Sequence, residues 1–324
     1  MKRSVLLMAR GLGALLVLVL VAVEGCAPSG GGRLPRSVQQ HRERLRVETY
    51  RVLDAGLGAQ GDGYTFRSQR FVFTFDRAFD TIAGFRTPEE RYERGKEAHA
   101  VLEGGYAFVR DLFGIEASKP IRVVILPALD GDPGDAKTVT EWKTLDGKIL
   151  DGSEEVTMYF GYRAFQHAPT LAHELAHALL GVYALPAWLN EGIATLVEVD
   201  YAKGRPLRGT GRFPEPLGFD PEGYNIIETW RGDGNPLPFR SGETYSYAYA
   251  IVKELQRRYG EDVFVRFFAE LKRTKPHLQG TLLTSEQIVD VLERLVGPEV
   301  REFFAKTLRF RVRPYRTGES DASS

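Results

Sequence analysis

The alternation of hydrophobic and polar positions predicts short strands in the first half of the chain. Phe71–Phe75 alternates apolar and smaller residues, and Ile121–Leu126 is a β-branched run that ends before a proline. Val156–Gly161 also alternates, and we expect it to be an edge strand. Residues 130–153 are rich in Gly and Asp, which indicates loops and a hairpin. A small sheet is therefore predicted for this half.

Helical periodicity dominates the second half. Residues 87–113 are predicted to form a long helix that opens at a proline, ahead of the mostly helical region. Thr284 begins the last clear helix, because Gln287 three residues later completes a capping box. The other predicted helices span 170–180, 187–199, 243–259 and 261–273, with a long loop over 202–241. The predicted fold class is α+β.

The N-terminus has the pattern of a secretory signal peptide. A basic start, Met-Lys-Arg, precedes an apolar run over 11–23 and small residues before the cysteine of the chain, Cys26. The apolar run is shorter than the roughly 20 residues that a membrane span needs. Residues 1–25 are therefore predicted to be removed.

The residues around Cys26, Val-Glu-Gly-Cys, resemble the lipobox of bacterial lipoproteins, although Glu24 stands where a small uncharged residue is usual. The resemblance implies that Cys26 becomes a lipidated N-terminus and that acyl chains hold the protein on a membrane of the bacterial cell envelope. The alternative is ordinary secretion, with Cys26 lost or left free.

Composition bounds the rest of the chain. The 324 residues include 43 basic and 43 acidic side chains, and nothing in the sequence suggests the clustered basic surface of a nucleic-acid-binding protein, so no nucleic-acid partner is expected. With one cysteine no internal disulfide can form, and stability must come from the core, which a chain of this size can supply. We divide the chain into a lipoprotein signal peptide at 1–25, a tether and lead-in at 26–64, a folded domain at 65–312 and a disordered tail at 313–324.

The strongest chemical signal is His173-Glu174-Leu175-Ala176-His177. On a helix, histidines four residues apart lie on one face, and both imidazoles can reach a zinc ion at about 2.0–2.1 Å. Glu174 projects beside them, where it can take a proton from the attacking water. The alternative is a helix with two core-facing histidines that are satisfied by hydrogen bonds.

A carboxylate in the next helix completes the predicted ligand set. Gly181 can end the first helix and Pro186 can open the second, which places Glu191 about one turn into it. Two antiparallel helices could then bring Glu191 opposite His173 and His177. Three protein ligands leave the fourth zinc position for water, as a catalytic site requires.

His-Glu-x-x-His followed by Trp-Leu-Asn-Glu-Gly-x-Ala resembles the gluzincin metallopeptidases, in particular the peptidase MA-like branch, over about residues 65–310. The resemblance implies a zincin-like fold, with a small N-terminal mixed sheet, an active-site helix and a helical C-terminal subdomain. It also implies that His173, His177 and Glu191 bind Zn²⁺ and that Glu174 is the general base. Thr195 departs from the thermolysin-like pattern, which has an Asp there, so another acceptor must orient a ligand imidazole.

Gluzincins often stabilise the oxyanion with a Tyr or His from the C-terminal helices. The candidates are Tyr245, Tyr247 and Tyr249, of which Tyr245 and Tyr249 share a helix face. We favour Tyr245; the alternative is that all three pack or lie exposed.

The sequence thus predicts a zinc-dependent peptidase that cleaves a peptide or protein substrate with zinc-activated water at the cell envelope. Two alternatives remain open. The first is a catalytically inactive zinc-binding envelope lipoprotein that acts as a scaffold or binding module. The second is a hydrolase of a non-peptide amide in cell-wall material.

Overall fold

The computed structural model describes residues 19–25, 65–76, 88–203, 227, 230, 241–280, 282–308 and 310. The predicted tether, the predicted tail and Cys26 lie outside the described residues. So does most of the loop predicted for 202–241.

The strands form one mixed sheet and one small hairpin. The six-stranded sheet has the order β1-β5-β8-β4-β3-β2, and β6 pairs with β7. The strands are β1 Val19–Gly25, β2 Thr65–Arg67, β3 Phe71–Phe75, β4 Ile121–Leu126, β5 Ala136–Trp142, β6 Thr144–Leu145, β7 Lys148–Ile149 and β8 Glu155–Gly161. Neighbouring strands β3, β4 and β8 run parallel, while β2, β5 and β1 pair antiparallel to β3, β8 and β5.

Two strand predictions need correction. Val156–Gly161 was predicted at an edge, but β8 lies between β4 and β5 and is hydrogen-bonded to both. The structure buries residues on both of its faces, so its polar positions do not mark a solvent side. The loop region 130–153 contains the predicted hairpin, β6–β7, and also the seven-residue strand β5, which was not predicted.

β1 lies within the segment that the sequence analysis assigns to a signal peptide. It pairs along its whole length with β5, with Val23 opposite Thr138. Removal of residues 1–25 would leave β5 as the edge of the sheet. Among the described residues, no helix combines the length and the apolar composition needed to cross a membrane.

The predicted helices are confirmed, with small changes at their ends. The helices are α1 Pro88–Phe113, α2 Tyr162–Phe165, α3 Ala168–Leu180, α4 Ala187–Leu196, α5 Ser241–Tyr259, α6 Val263–Thr274, α7 Ser285–Val296 and α8 Glu299–Glu302. The two four-residue helices, α2 and α8, were not predicted. Short 3₁₀ turns cover Gly181–Tyr183 and Pro276–Gln279, and π turns cover Val197–Tyr201 and Phe303–Thr307. The capping box at Thr284 is present as predicted. The fold is α+β.

Helix α1 joins the sheet to the C-terminal helices. Phe71 of β3 packs edge-on against Tyr106 of α1, with ring centroids 6.3 Å apart. At the C-terminal end of α1, Phe113 packs against Phe264 and Phe268 of α6. These rings are all buried, so one continuous core fixes the helices relative to the sheet.

Helices α4 and α5 touch through their backbones at Gly192. A Cβ at this position would lie 2.6 Å from the carbonyl oxygen of Ala248 and 2.7 Å from Val252 Cγ2. Glycine therefore permits a close approach that a larger residue would prevent. The contact places the N-terminal half of α5, which carries Tyr245, beside the helices with the predicted ligands.

Candidate metal centre

Helix α3 is buried from Thr170 to its C-terminal end. It begins at His167, whose side chain accepts a hydrogen bond from the Thr170 backbone, and Pro169 stands in its first turn. It ends at Gly181 as predicted. Every residue from Thr170 to Leu180 is buried, so His173 and His177 lie within the protein core rather than on a surface.

A short connection turns the chain back into α4. The 3₁₀ turn Gly181–Tyr183 leads to Ala184 in the left-handed conformation (φ 50°), and Pro186 in extended conformation caps α4. Glu191 follows one turn later and is 1% exposed. Trp188 anchors this helix, because its indole N–H donates to Ser285 Oγ of α7 at 3.0 Å.

Three donor atoms converge where α3 and α4 meet. His173 Nε2 and His177 Nε2 are 3.1 Å apart, and Glu191 Oε2 lies 3.3 Å from the first and 3.2 Å from the second. Donors bound at about 2.0–2.1 Å around a tetrahedral zinc ion are separated by about 3.3–3.4 Å. The near-equilateral triangle therefore has the dimensions of one face of such a tetrahedron, and the three residues could hold a metal ion.

Burial and the neighbouring charges act in opposite directions on the pKa values of Glu191 and His173. Burial by itself raises the pKa of Glu191, but the charges and hydrogen bonds of His177 and His173 lower this pKa to about 2. Burial would lower the pKa of His173, yet Glu191 and Glu198 raise it well above 6.5. The two carboxylates thus favour the protonated form of His173. A divalent cation can replace that proton.

Glu198 orients the first histidine. Its Oε2 lies 3.1 Å from His173 Nδ1, and both side chains are buried. An N–H at Nδ1 that donates to this carboxylate leaves the lone pair of Nε2 directed at the metal position. Such an acceptor was expected because Thr195 cannot supply a carboxylate, but Glu198 was not predicted to be that acceptor.

The spacing of Glu198 could have revealed it. Glu198 follows Glu191 by seven residues, which is almost two turns of an α-helix. On an ideal helix the two side chains therefore lie within about 20° of the same face. The helix continues past Leu196 into the π turn Val197–Tyr201, which keeps Glu198 buried on the side of His173. The carboxylate that orients the imidazole therefore stands one turn beyond the position of the thermolysin-like pattern.

Glu174 is fully buried beside the three candidate ligands. Its Oε2 accepts a hydrogen bond from Thr138 Oγ1 of β5 at 2.7 Å. Its Oε1 is buried and has no hydrogen-bond partner within the described part of the chain. Burial raises the pKa of Glu174, against the opposing effects of His177, His173 and Thr138. No sequence signal linked Thr138 to Glu174, because the two lie on separate elements.

The three tyrosines of α5 have different surroundings. The ring of Tyr245 lies against that of His173, with centroids 6.2 Å apart, and against Trp230 at 5.2 Å. Tyr249 donates its hydroxyl hydrogen to Oδ1 of Asp200, within the π turn, at 3.3 Å. All three tyrosines are buried. Tyr245 lies next to the candidate metal cluster, whereas Tyr249 joins α5 to the end of the π turn.

Comparison of the chain with protein-family models and with curated proteins gives no match. A functional assignment therefore depends on the motif and on the geometry of the site.

Proposed function

We propose that this protein is a zinc-dependent peptidase. His173, His177 and Glu191 are the zinc ligands, and Glu174 is the general base. The convergence of the three ligand atoms to within 3.3 Å of one another is the observation that carries this proposal. Three protein ligands are typical of catalytic zinc, whereas structural zinc is closed by four.

Two further observations support hydrolysis rather than simple metal storage. Glu174, which stands between the two proposed ligand histidines in the sequence, has a buried carboxylate oxygen without a partner among the described residues. Such a group destabilises the fold, and groups of this kind are typical of functional sites. The order of the residues, His-Glu-x-x-His and then Trp-Leu-Asn-Glu-Gly, resembles that of the gluzincin metallopeptidases.

When bound, zinc would polarise the scissile carbonyl and lower the pKa of water to about 7. Glu174 accepts a proton from the attacking water and later passes it to the leaving amine. Its raised pKa makes the carboxylate a better base than a solvent-exposed glutamate. The ring of Tyr245 packs against that of His173, and we propose its hydroxyl as the donor for the developing oxyanion.

The Glu174→Gln variant tests the proposal. The amide has the size of the carboxylate but cannot take the proton, so we expect zinc to be retained and hydrolysis to be lost. The protein, expressed from its complete sequence and purified in detergent, is assayed on unfolded casein and on peptidoglycan in parallel. Unchanged casein cleavage by Glu174→Gln would contradict the assigned base.

The remaining outcomes identify the alternatives. Cleavage of a non-peptide amide in peptidoglycan, identified by mass spectrometry of the products, without cleavage of casein would support a hydrolase of non-peptide amides. A wild-type protein that binds zinc and cleaves neither would support a scaffold or binding module.

We also propose that the protein is held on a membrane of the cell envelope by lipid on Cys26. The proposal rests on the lipobox-like sequence around that cysteine. Metabolic labelling with a fatty-acid analogue tests it. The wild type should incorporate label and Cys26→Ala should not; equal labelling of the two would rule out this anchor.

A further inference from the structure

The side chain of Thr138 reaches from the sheet to the proposed base. Thr138 lies in the middle of β5 and is 2% exposed. Its Oγ1 is 2.7 Å from Glu174 Oε2 and 3.0 Å from the backbone carbonyl oxygen of Glu174. A hydroxyl has one hydrogen to donate, and an ionised carboxylate is a stronger acceptor than a carbonyl. The geometry thus favours donation to Oε2.

This contact makes the two oxygens of the Glu174 carboxylate unequal. Oε2 is held by Thr138, whereas Oε1 has no partner among the described residues. The terminal torsion of a glutamate is broad and imposes little preference on the plane of the carboxylate. A donor fixed on a strand can therefore set that plane.

We infer that Thr138 is a positioning residue: its hydroxyl fixes the Glu174 carboxylate so that Oε1 receives the proton. The inference rests on the proposed function, since it assigns the acceptor oxygen of that reaction. In this step an O–H bond of the attacking water breaks as its oxygen bonds to the scissile carbonyl carbon, and an O–H bond forms at Oε1. The proton later moves from Oε1 to the nitrogen of the leaving amine as the C–N bond breaks.

Thr140 provides a matched control on the same strand. It follows Thr138 by two residues, so both side chains lie on the same face of β5, and each is 2% exposed. The Oγ1 of Thr140 lies directly beside Gly181, at the C-terminal end of α3, rather than beside the base. Replacement of either threonine removes one buried hydroxyl, but only Thr138 is hydrogen-bonded to Glu174.

The kinetic test compares Thr138→Val, Thr138→Ser and Thr140→Val in the full-length protein, on the fluorogenic peptide that the wild type cleaves fastest. Thr138→Val should lower kcat by about 10- to 100-fold, the loss expected for a hydrogen bond to a charged group, with KM and zinc content unchanged. Thr138→Ser should recover most of kcat, and Thr140→Val should be close to wild type. Thr138→Ala takes the place of Thr138→Val if the latter does not fold.

Two kinetic results would overturn the inference. The first is a kcat for Thr138→Val equal to that of Thr140→Val. The second is a Thr138→Ser variant as slow as Thr138→Val, because then the hydroxyl would not be the feature that matters.

A crystallographic arm needs no activity. In crystals of Thr138→Val, the Glu174 carboxylate should be rotated or should occupy more than one orientation, while the backbone of α3 stays in place. A single orientation identical to that of the wild type would also overturn the inference. If the wild type cleaves no peptide, the proposed function fails, and this arm still decides whether Thr138 positions the carboxylate.

Discussion

Loss of the Glu198 carboxylate should weaken zinc binding without unfolding the protein. The contact joins Glu198 Oε2 to His173 Nδ1 at 3.1 Å, and the two side chains are 7% and 6% exposed. A hydrogen bond to a charged group in such surroundings contributes about 1.5–3 kcal/mol. Since about 1.4 kcal/mol corresponds to tenfold, Glu198→Ala should weaken zinc binding by about 10- to 100-fold.

Two control variants, Glu198→Gln and Thr195→Val, show whether a loss of zinc affinity comes from the charge and hydrogen bond of Glu198 or from any change at a nearby buried position. The amide of Glu198→Gln can still accept the Nδ1 hydrogen but lacks the charge, so its effect should be smaller than that of Glu198→Ala. Thr195 is also buried, and its Oγ1 has no hydrogen-bond partner in the residues that the structure describes. Thr195→Val should therefore leave zinc affinity unchanged.

Competition for zinc with a chromophoric chelator measures these affinities, and thermal unfolding of the metal-free variants checks that each one folds. The reasoning would be refuted if Thr195→Val weakened binding as much as Glu198→Ala. It would also be refuted if Glu198→Ala bound zinc with wild-type affinity.

Three further predictions concern protons, packing and the oxyanion. Because the pKa of His173 is raised, zinc must displace its proton, so zinc affinity should fall as pH falls. Calorimetry in two buffers of different ionisation enthalpy should show this proton release as different heats of zinc binding, and equal heats would contradict it. Gly192→Ala should destabilise the fold by about 1–3 kcal/mol, because the Cβ of the alanine would overlap the backbone of α5. Chemical denaturation measures this loss, and an unchanged midpoint would contradict it. Tyr245→Phe should lower kcat by about 10-fold or more with zinc content unchanged, whereas Tyr249→Phe should not; equal kcat values for the two variants would exclude Tyr245 as the donor.

Features encoded over a few residues were predictable from the sequence. The β-branched run of β4, the proline that opens α1 and the capping box at Thr284 each have a local cause, and each prediction is confirmed. The turn between α3 and α4 is also local, which is why Glu191 could be placed opposite the histidines before the structure was known.

Features that depend on distant residues were not predictable in the same way. The position of β8 is set by its pairing with β4 and β5, and an alternating pattern does not reveal how many neighbours a strand has. β5 itself lies among turn-forming residues, which masked its seven-residue length. The contact between Thr138 and Glu174 follows from the packing of α3 beside β5, for which neither segment carries a signal.

The central claim is that His173, His177 and Glu191 bind one zinc ion. Elemental analysis of the purified full-length protein tests it, with Glu191→Ala and Thr195→Val prepared in parallel. The wild type and Thr195→Val should each contain about one zinc per chain, and Glu191→Ala should contain much less. A wild type without zinc, or a Glu191→Ala variant with the full complement, would contradict the account.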